Sequence, residues 1–252
     1  MNRIILALDT TNLEEAISIT SQIKDKIFTV KLGLEFFNSC SKSGIKKFND
    51  LGINNLMLDL KLQDIPATIN RSILALKGIK FRFLTVMALG GNEMIKQAKN
   101  AANELDPNIK ILAVTILTSI SQNELSRMGA NSSIEDMVIQ LAKNSNDADG
   151  YVASPLEAKI LREKVSKDKL IFCPGIRMPD DKKDDQVRTA TPTIAFKNGA
   201  DAIIMGRSLI KGNIEENLKR VSASLKALLN ACKIKNQISF FLKAFELLEC
   251  PH

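Results

Sequence analysis

A closed (β/α)8 barrel is the fold class this sequence predicts, from three observations. Eight short apolar runs alternate with helix-type stretches, no linker or low-complexity segment divides the chain, and 252 residues is an ordinary length for one such barrel. The apolar runs are near-continuous, as parallel strands covered on both faces require.

The elements follow in order. "RIILALD" (3–9) is the first strand, and Thr11 or Asn12 then caps a helix with Glu14 and Glu15 in its first turn. "FTVKLG" (28–33) leads to the helical pattern of 35–51. "NLMLDLK" (55–61) precedes 65–78, where Pro66 suits the first helical turn. "FRFLTVMA" (81–88) precedes "GNEMIKQAKNAANEL"; the Gly90–Gly91 pair reads as a strand–helix turn, because no GxxxxGK or GxGxxG pattern accompanies it. "IKILAVTILT" (109–118) comes before a helical region near 121–146, and "DGYVAS" (149–154) before "PLEAKILREKV". "KLIFCPG" (169–175) precedes a polar loop, and "ADAIIMGR" (200–207) precedes a helix over 213–230. The barrel domain is thus expected over 1–230. In residues 231–252, Ile238, Phe241, Leu242, Phe245 and Leu248 recur at helical spacing and predict an amphipathic extension that packs on the barrel or widens a dimer interface.

Composition narrows the function classes. Hydrophobic residues at 45% and charged residues at 25% suit a soluble globular protein with an ample core. No apolar run has membrane-spanning length, so no membrane partner is expected. "MNRIILALDT" reaches an Asp too early for a signal peptide, and Cys40, Cys173, Cys232 and Cys250 form no CxxC pair. Both features predict free thiols in a reducing cytoplasm. Cys173 has no base nearby in sequence and reads as a buried side chain, not a nucleophile. The net charge is +7, yet the chain has no Trp and one Tyr, and its lysines are dispersed. That describes a solvated basic surface and no nucleic-acid partner. The one histidine, His252, is the last residue, which excludes His-based triads and most mononuclear zinc hydrolase designs.

Polar residues collect at one end of the predicted strands. Asp9, Lys31, Asp59, Lys61, Thr118, Gly175 and Arg207 all lie at or just past C-terminal strand ends, the rim that holds active sites in this fold. The densest group is "LMLDLKLQDIPATI" (56–69). Residues i and i+2 of a strand share a side, so Asp59 and Lys61 face the same way; Asp64 follows a tight turn, and Lys31 ends the adjacent strand. The signs alternate as Lys31–Asp59–Lys61–Asp64. The residues alone fit a functional cluster no better than a structural one, whether a buried ion-pair network or surface charges at a loop.

In "LDLKLQDIPATI" the pattern Asp-x-Lys-x-x-Asp-Ile-x-x-Thr resembles the signature of orotidine 5′-phosphate decarboxylases. "CPGIRMPDDKKDDQVR" resembles that family's phosphate loop, and "IIMGRSLI" its eighth strand end. "ALD" (7–9), "KLG" (31–33) and "VTILTS" (114–119) also match in order, and the likeness spans roughly residues 3 to 225. The first pattern alone marks a superfamily that includes magnesium-dependent sugar-phosphate decarboxylases and aldolases.

The resemblance implies decarboxylation of orotidine 5′-monophosphate to uridine 5′-monophosphate in pyrimidine biosynthesis, with no metal or organic cofactor. It implies that Lys61 stabilises a carbanion at ring carbon 6 and protonates it, roles that suit an ammonium better than a guanidinium. Asp59 would sit near the substrate carboxylate, and Lys31 and Asp9 would bind ribose hydroxyls. Thr118 would contact the pyrimidine. Arg177, Gln186, Gly206 and Arg207 would hold the phosphate, with 177–188 as a lid. Asp64 and Thr68 would come from the other subunit of a homodimer. Gln63 and Met87 stand where bacterial relatives commonly carry His. A catalytically silent nucleotide-binding scaffold is the alternative from another class, disfavoured by the intact charged cluster.

Overall fold

Side chains alternate along a strand, so each short strand of a barrel sends only a few residues into the interior. The computed structural model describes residues 3–181 and 188–234. Its strands are β1 (Ile4–Leu8), β2 (Thr29–Gly33), β3 (Leu56–Leu62), β4 (Phe83–Met87), β5 (Lys110–Val114), β6 (Gly150–Val152), β7 (Leu170–Cys173) and β8 (Ala202–Met205). They pair in parallel in sequence order, and β8 closes on β1.

Around them lie α1 (Leu13–Ile23), α2 (Leu34–Asp50), α3 (Pro66–Leu74), α4 (Gly91–Leu105), α5 (Gln122–Arg127), α6 (Ile134–Lys143), α7 (Ala158–Lys164), α8 (Pro192–Lys197), α9 (Arg207–Ile210) and α10 (Ile214–Ile234). Asn12 caps α1, accepting from the N–H groups of Glu14 and Glu15. Pro66 opens α3 as expected, and Gly91, with φ 81°, opens α4. Among the described residues no helix is long and apolar enough to cross a membrane.

All eight expected strands are present, with four differences around them. β5 ends at Val114, four residues short of the expected 118, so Thr118 lies on a loop. The helical region expected near 121–146 is two helices, because the chain turns between them through Gly129 at φ 90°. After β7 the polar loop ends in a further helix, α8, capped by Thr191 and led by Pro192. The helix expected over 213–230 runs on to Ile234. Residues 235–252, with Ile238, Phe241, Leu242, Phe245 and Leu248, lie outside the described residues.

Two apolar cores result. Ile4, Leu6 and Leu8 of β1 point outward to the helices, while Ile5 and Ala7 point inward with Met57, Phe83, Leu112, Val114, Val152, Phe172, Ala202 and Ile204. At the N-terminal end three aromatic rings fill the interior. Phe83 and Phe172 pack edge-on with centroids 5.0 Å apart, and Phe28 lies 5.7 Å and 6.3 Å from them. Phe172→Ala should destabilise the fold by about 3–5 kcal/mol, because neighbouring rings cannot collapse into the space. Equilibrium denaturation measures this, and a loss under about 1 kcal/mol would show that the plug is not a close-packed core.

Candidate active site

The same alternation that builds the apolar plug carries charge at the other end. Ala7 pairs with Lys31, and Gly33 with Asp59, in adjacent ladders. Continuing each inward-facing series brings Asp9 after Ala7, Lys31 after Thr29, Asp59 after Met57 and Thr85 after Phe83. The sequence predicts a co-facing Asp59 and Lys61, and the structure brings them together. The Lys61 ammonium is 2.8 Å from Asp59 Oδ2, and the Lys31 ammonium is 3.2 Å from the same oxygen and 3.3 Å from Asp9 Oδ1. Within this chain the alternating series is therefore Asp9–Lys31–Asp59–Lys61. Asp64 takes no part in it: it is exposed, and its carboxylate accepts the Ile65 N–H at 2.7 Å.

Gly33 makes room for this network, since a Cβ there would stand 3.2 Å from the Lys31 ammonium and 3.3 Å from Asp9 Oδ1. Gly206 does the same beside β1, where a Cβ would meet the Ala7 carbonyl oxygen at 3.3 Å.

A cavity of about 270 Å3 opens above the network. Asp9, Lys31, Asp59 and Lys61 form one side, and Ile116, Leu117 and Thr118 of the β5–α5 loop cover another. Gly175, Arg177, Gly206 and Arg207, from the ends of β7 and β8, line the remainder. Of the residues singled out from sequence, Asp64 and Thr68 stand outside this cavity, and Gln186 lies outside the described residues. Cys173 is fully buried, and burial pushes its thiol well up, as suits an inert side chain.

Two residues that sequence reasoning gave no role support the site from behind. Thr85 of β4 donates its hydroxyl to Asp59 Oδ1 at 2.9 Å. Arg188, buried beside Glu157, donates to the carbonyls of Ile116 and Leu117 at 3.0 and 2.8 Å and so fixes the cavity-lining loop. Burial pushes the Glu157 carboxyl up, and Arg188 only partly offsets it. Arg188 ends the quoted phosphate-loop stretch, and a cation so close to a motif was the available signal; a threonine in an apolar run gave none.

Electrostatics bind the network together. Burial pushes the Asp59 carboxyl up, but Lys31 and Lys61, with hydrogen bonds from Lys61 and Thr85, outweigh it and leave the carboxyl below its ordinary range. For Lys31 burial acts downward, and Asp59 and Asp9 outweigh it, so its value is raised. The Asp59 contribution to stability is complete above the unfolded value of about 3.9 and is lost as pH falls through the lower folded value. The Lys31 contribution is complete below the unfolded value of about 10.4 and is lost as pH rises through the higher folded value. Above about pH 10.4, wild-type stability should therefore fall more steeply than that of Lys31→Met. Denaturant titrations across that range test this, and parallel curves would refute the coupling.

Comparison with known proteins places the chain in a family. The chain matches the model of the Orotidine 5'-phosphate decarboxylase / HUMPS family over residues 2–221. It is 41% identical over 215 residues to an orotidine 5'-phosphate decarboxylase of Wolbachia pipientis subsp. Culex pipiens, a match covering 84% of this chain and 93% of that protein. The corresponding enzyme of Fusobacterium nucleatum subsp. nucleatum is 38% identical over 213 residues, covering 83% and 89%. The crystal structure of orotidine 5'-phosphate decarboxylase from Lactobacillus acidophilus superposes with a TM-score of 0.77 at 35% identity, covering 89% of this chain and 99% of that one. The family model over residues 2–221 and these relatives show that the chain belongs to the orotidine 5'-phosphate decarboxylase / HUMPS family.

Proposed function

We propose that this protein is an orotidine 5′-phosphate decarboxylase, a carboxy-lyase converting orotidine 5′-monophosphate to uridine 5′-monophosphate and CO2 in pyrimidine biosynthesis. The observation that carries the mechanism is one buried carboxylate, Asp59, shared by two ammonium groups of unequal access. Both line the cavity, but Lys31 is 10% exposed and held by two carboxylates, whereas Lys61 is 30% exposed and held by one. Lys61 is therefore the proton donor. Its charge, fixed before the reaction, stabilises the carbanion left at ring carbon 6 and then supplies the proton there. Lys31, tied to Asp9 and Asp59, orients the network and the ribose hydroxyls.

Asp59 faces the leaving carboxylate, and their mutual repulsion is relieved as CO2 departs. Thr118 meets the pyrimidine. Arg177 and Arg207 clamp the phosphate beside Gly206, from the strand ends where this fold commonly binds phosphate. The family resemblance also assigns Gln186, which lies outside the described residues, to the phosphate.

The mechanism needs no metal or organic cofactor. The carboxylates of Asp9 and Asp59 are already compensated by Lys31 and Lys61, so the cavity lacks the uncompensated anionic pair that a divalent cation seeks. Decarboxylation should persist unchanged after exhaustive treatment with EDTA, followed by the absorbance change of the pyrimidine. Activity abolished by the chelator and restored by Mg2+ would favour the magnesium-dependent branch of the superfamily.

The active form is a homodimer in the cytoplasm, with residues 1–230 as the barrel domain and 231–252 as an extension. Asp64 and Thr68 lie outside their own chain's cavity, and Leu34, Ile65 and Leu89, beyond the ends of β2, β3 and β4, are large exposed apolar side chains. A partner that covers this rim would bring its Asp64 toward Lys61 and its Thr68 toward the substrate. Lys61→Ala and Asp64→Ala should each be nearly inactive alone. After random subunit exchange roughly a quarter of all sites would regain both residues, and activity should recover toward that fraction. Confirmed heterodimers as inactive as their parents would exclude a shared site.

A further inference from the structure

We propose that Thr85 is a positioning residue for the decarboxylation, its hydroxyl fixing the Asp59 carboxylate and the Lys61 backbone relative to one another. The proposal rests on the reading of Lys61 as the group that stabilises and protonates the carbanion.

The β3–β4 ladder shows why a clamp is needed there. Pairing runs Met57 with Phe83 and Leu58 with Leu84, then resumes at Leu62 with Val86, and the register shifts between. Asp59, Leu60 and Lys61 therefore stand opposite the single residue Thr85. Such a bulge re-aims side chains but leaves backbone groups without ladder partners. Lys61 takes up the distortion with φ 47°, a left-handed conformation that residues bearing a Cβ avoid. Its orphaned N–H is received by the Thr85 hydroxyl oxygen at 2.9 Å.

The polarity of this clamp is fixed by chemistry. Thr85 is fully buried, so its hydroxyl must find its partners within the protein. A backbone N–H can only donate, so the Thr85 oxygen accepts from Lys61. Its single proton then goes to Asp59 Oδ1 at 2.9 Å. Holding Oδ1 turns the other oxygen, Oδ2, toward the cavity, and Oδ2 is the atom that meets both Lys31 and Lys61. Thr85 thus selects the carboxylate oxygen that faces the cations and holds the bulge that carries the proton donor. It does not line the cavity itself, so it acts only through Asp59 and Lys61.

Valine reproduces the shape of threonine without the hydroxyl, and serine keeps the hydroxyl without the methyl. Thr85→Val should lower kcat on the order of 100-fold, as expected when a catalytic group is displaced by about 1 Å. KM should change by less than about 3-fold, since ground-state contacts to substrate are untouched. Thr85→Ser should recover most of the lost kcat. Wild-type kcat in Thr85→Val, or a Thr85→Ser no better than Thr85→Val, would overturn the assignment. If Thr85→Val does not fold, Thr85→Ala is compared with Thr85→Ser, and equal kcat in those two overturns it as well. Lys61→Ala is measured alongside: if it stays active, the Lys61 reading and the proposal fall together. An inactive Lys61→Ala beside a fully active Thr85→Val removes the Thr85 assignment alone.

Discussion

The structure turns on one carboxylate inside a barrel. Asp59 is charged and buried, a combination that is unfavourable unless opposite charges and hydrogen bonds surround it. Lys31 comes from one neighbouring strand, Thr85 from the other, and Lys61 from two residues along the same strand. Each partner is placed by strand alternation and register, so closing the barrel and assembling the network are one event. An uncompensated Asp59 would leave the fold with a buried charge; a neutral residue there would leave two lysines crowding one another.

Much of this was legible in the sequence because charge inside an apolar run is conspicuous. Asp59 and Lys61 interrupt "LMLDLKL", and Lys31 interrupts "TVKLG", so strand positions and charged positions were read from the same segments. What escaped depends on pairing between distant segments or on neutral groups. The β3–β4 register shift belongs to neither strand alone, and Thr85 is a residue type that strands favour anyway. The left-handed backbone at Lys61 was hidden for the same reason, since nothing local asks a lysine to adopt it. Arg188 lies at the end of "CPGIRMPDDKKDDQVR", but its burial against Glu157 requires β5, β6 and β7 to be in place first. The break between α5 and α6 had a local signal in Gly129, outweighed by the helical pattern on both sides.

On the proposed mechanism, pairing Lys31 and Lys61 with one oxygen also separates two duties that one lysine performs poorly. A cation locked between two carboxylates orients well but surrenders its proton reluctantly. A second cation with a single partner and an open side is freer to move as charge develops nearby. Exposure of 10% against 30% expresses that division in structural terms.

The aromatic plug gives the barrel a further property. Phe28, Phe83 and Phe172 close the N-terminal end beneath the charged layer, so the vessel has a floor. On the proposed mechanism, CO2 is set free above that floor, and it leaves past the same β5–α5 loop and strand ends that receive the nucleotide.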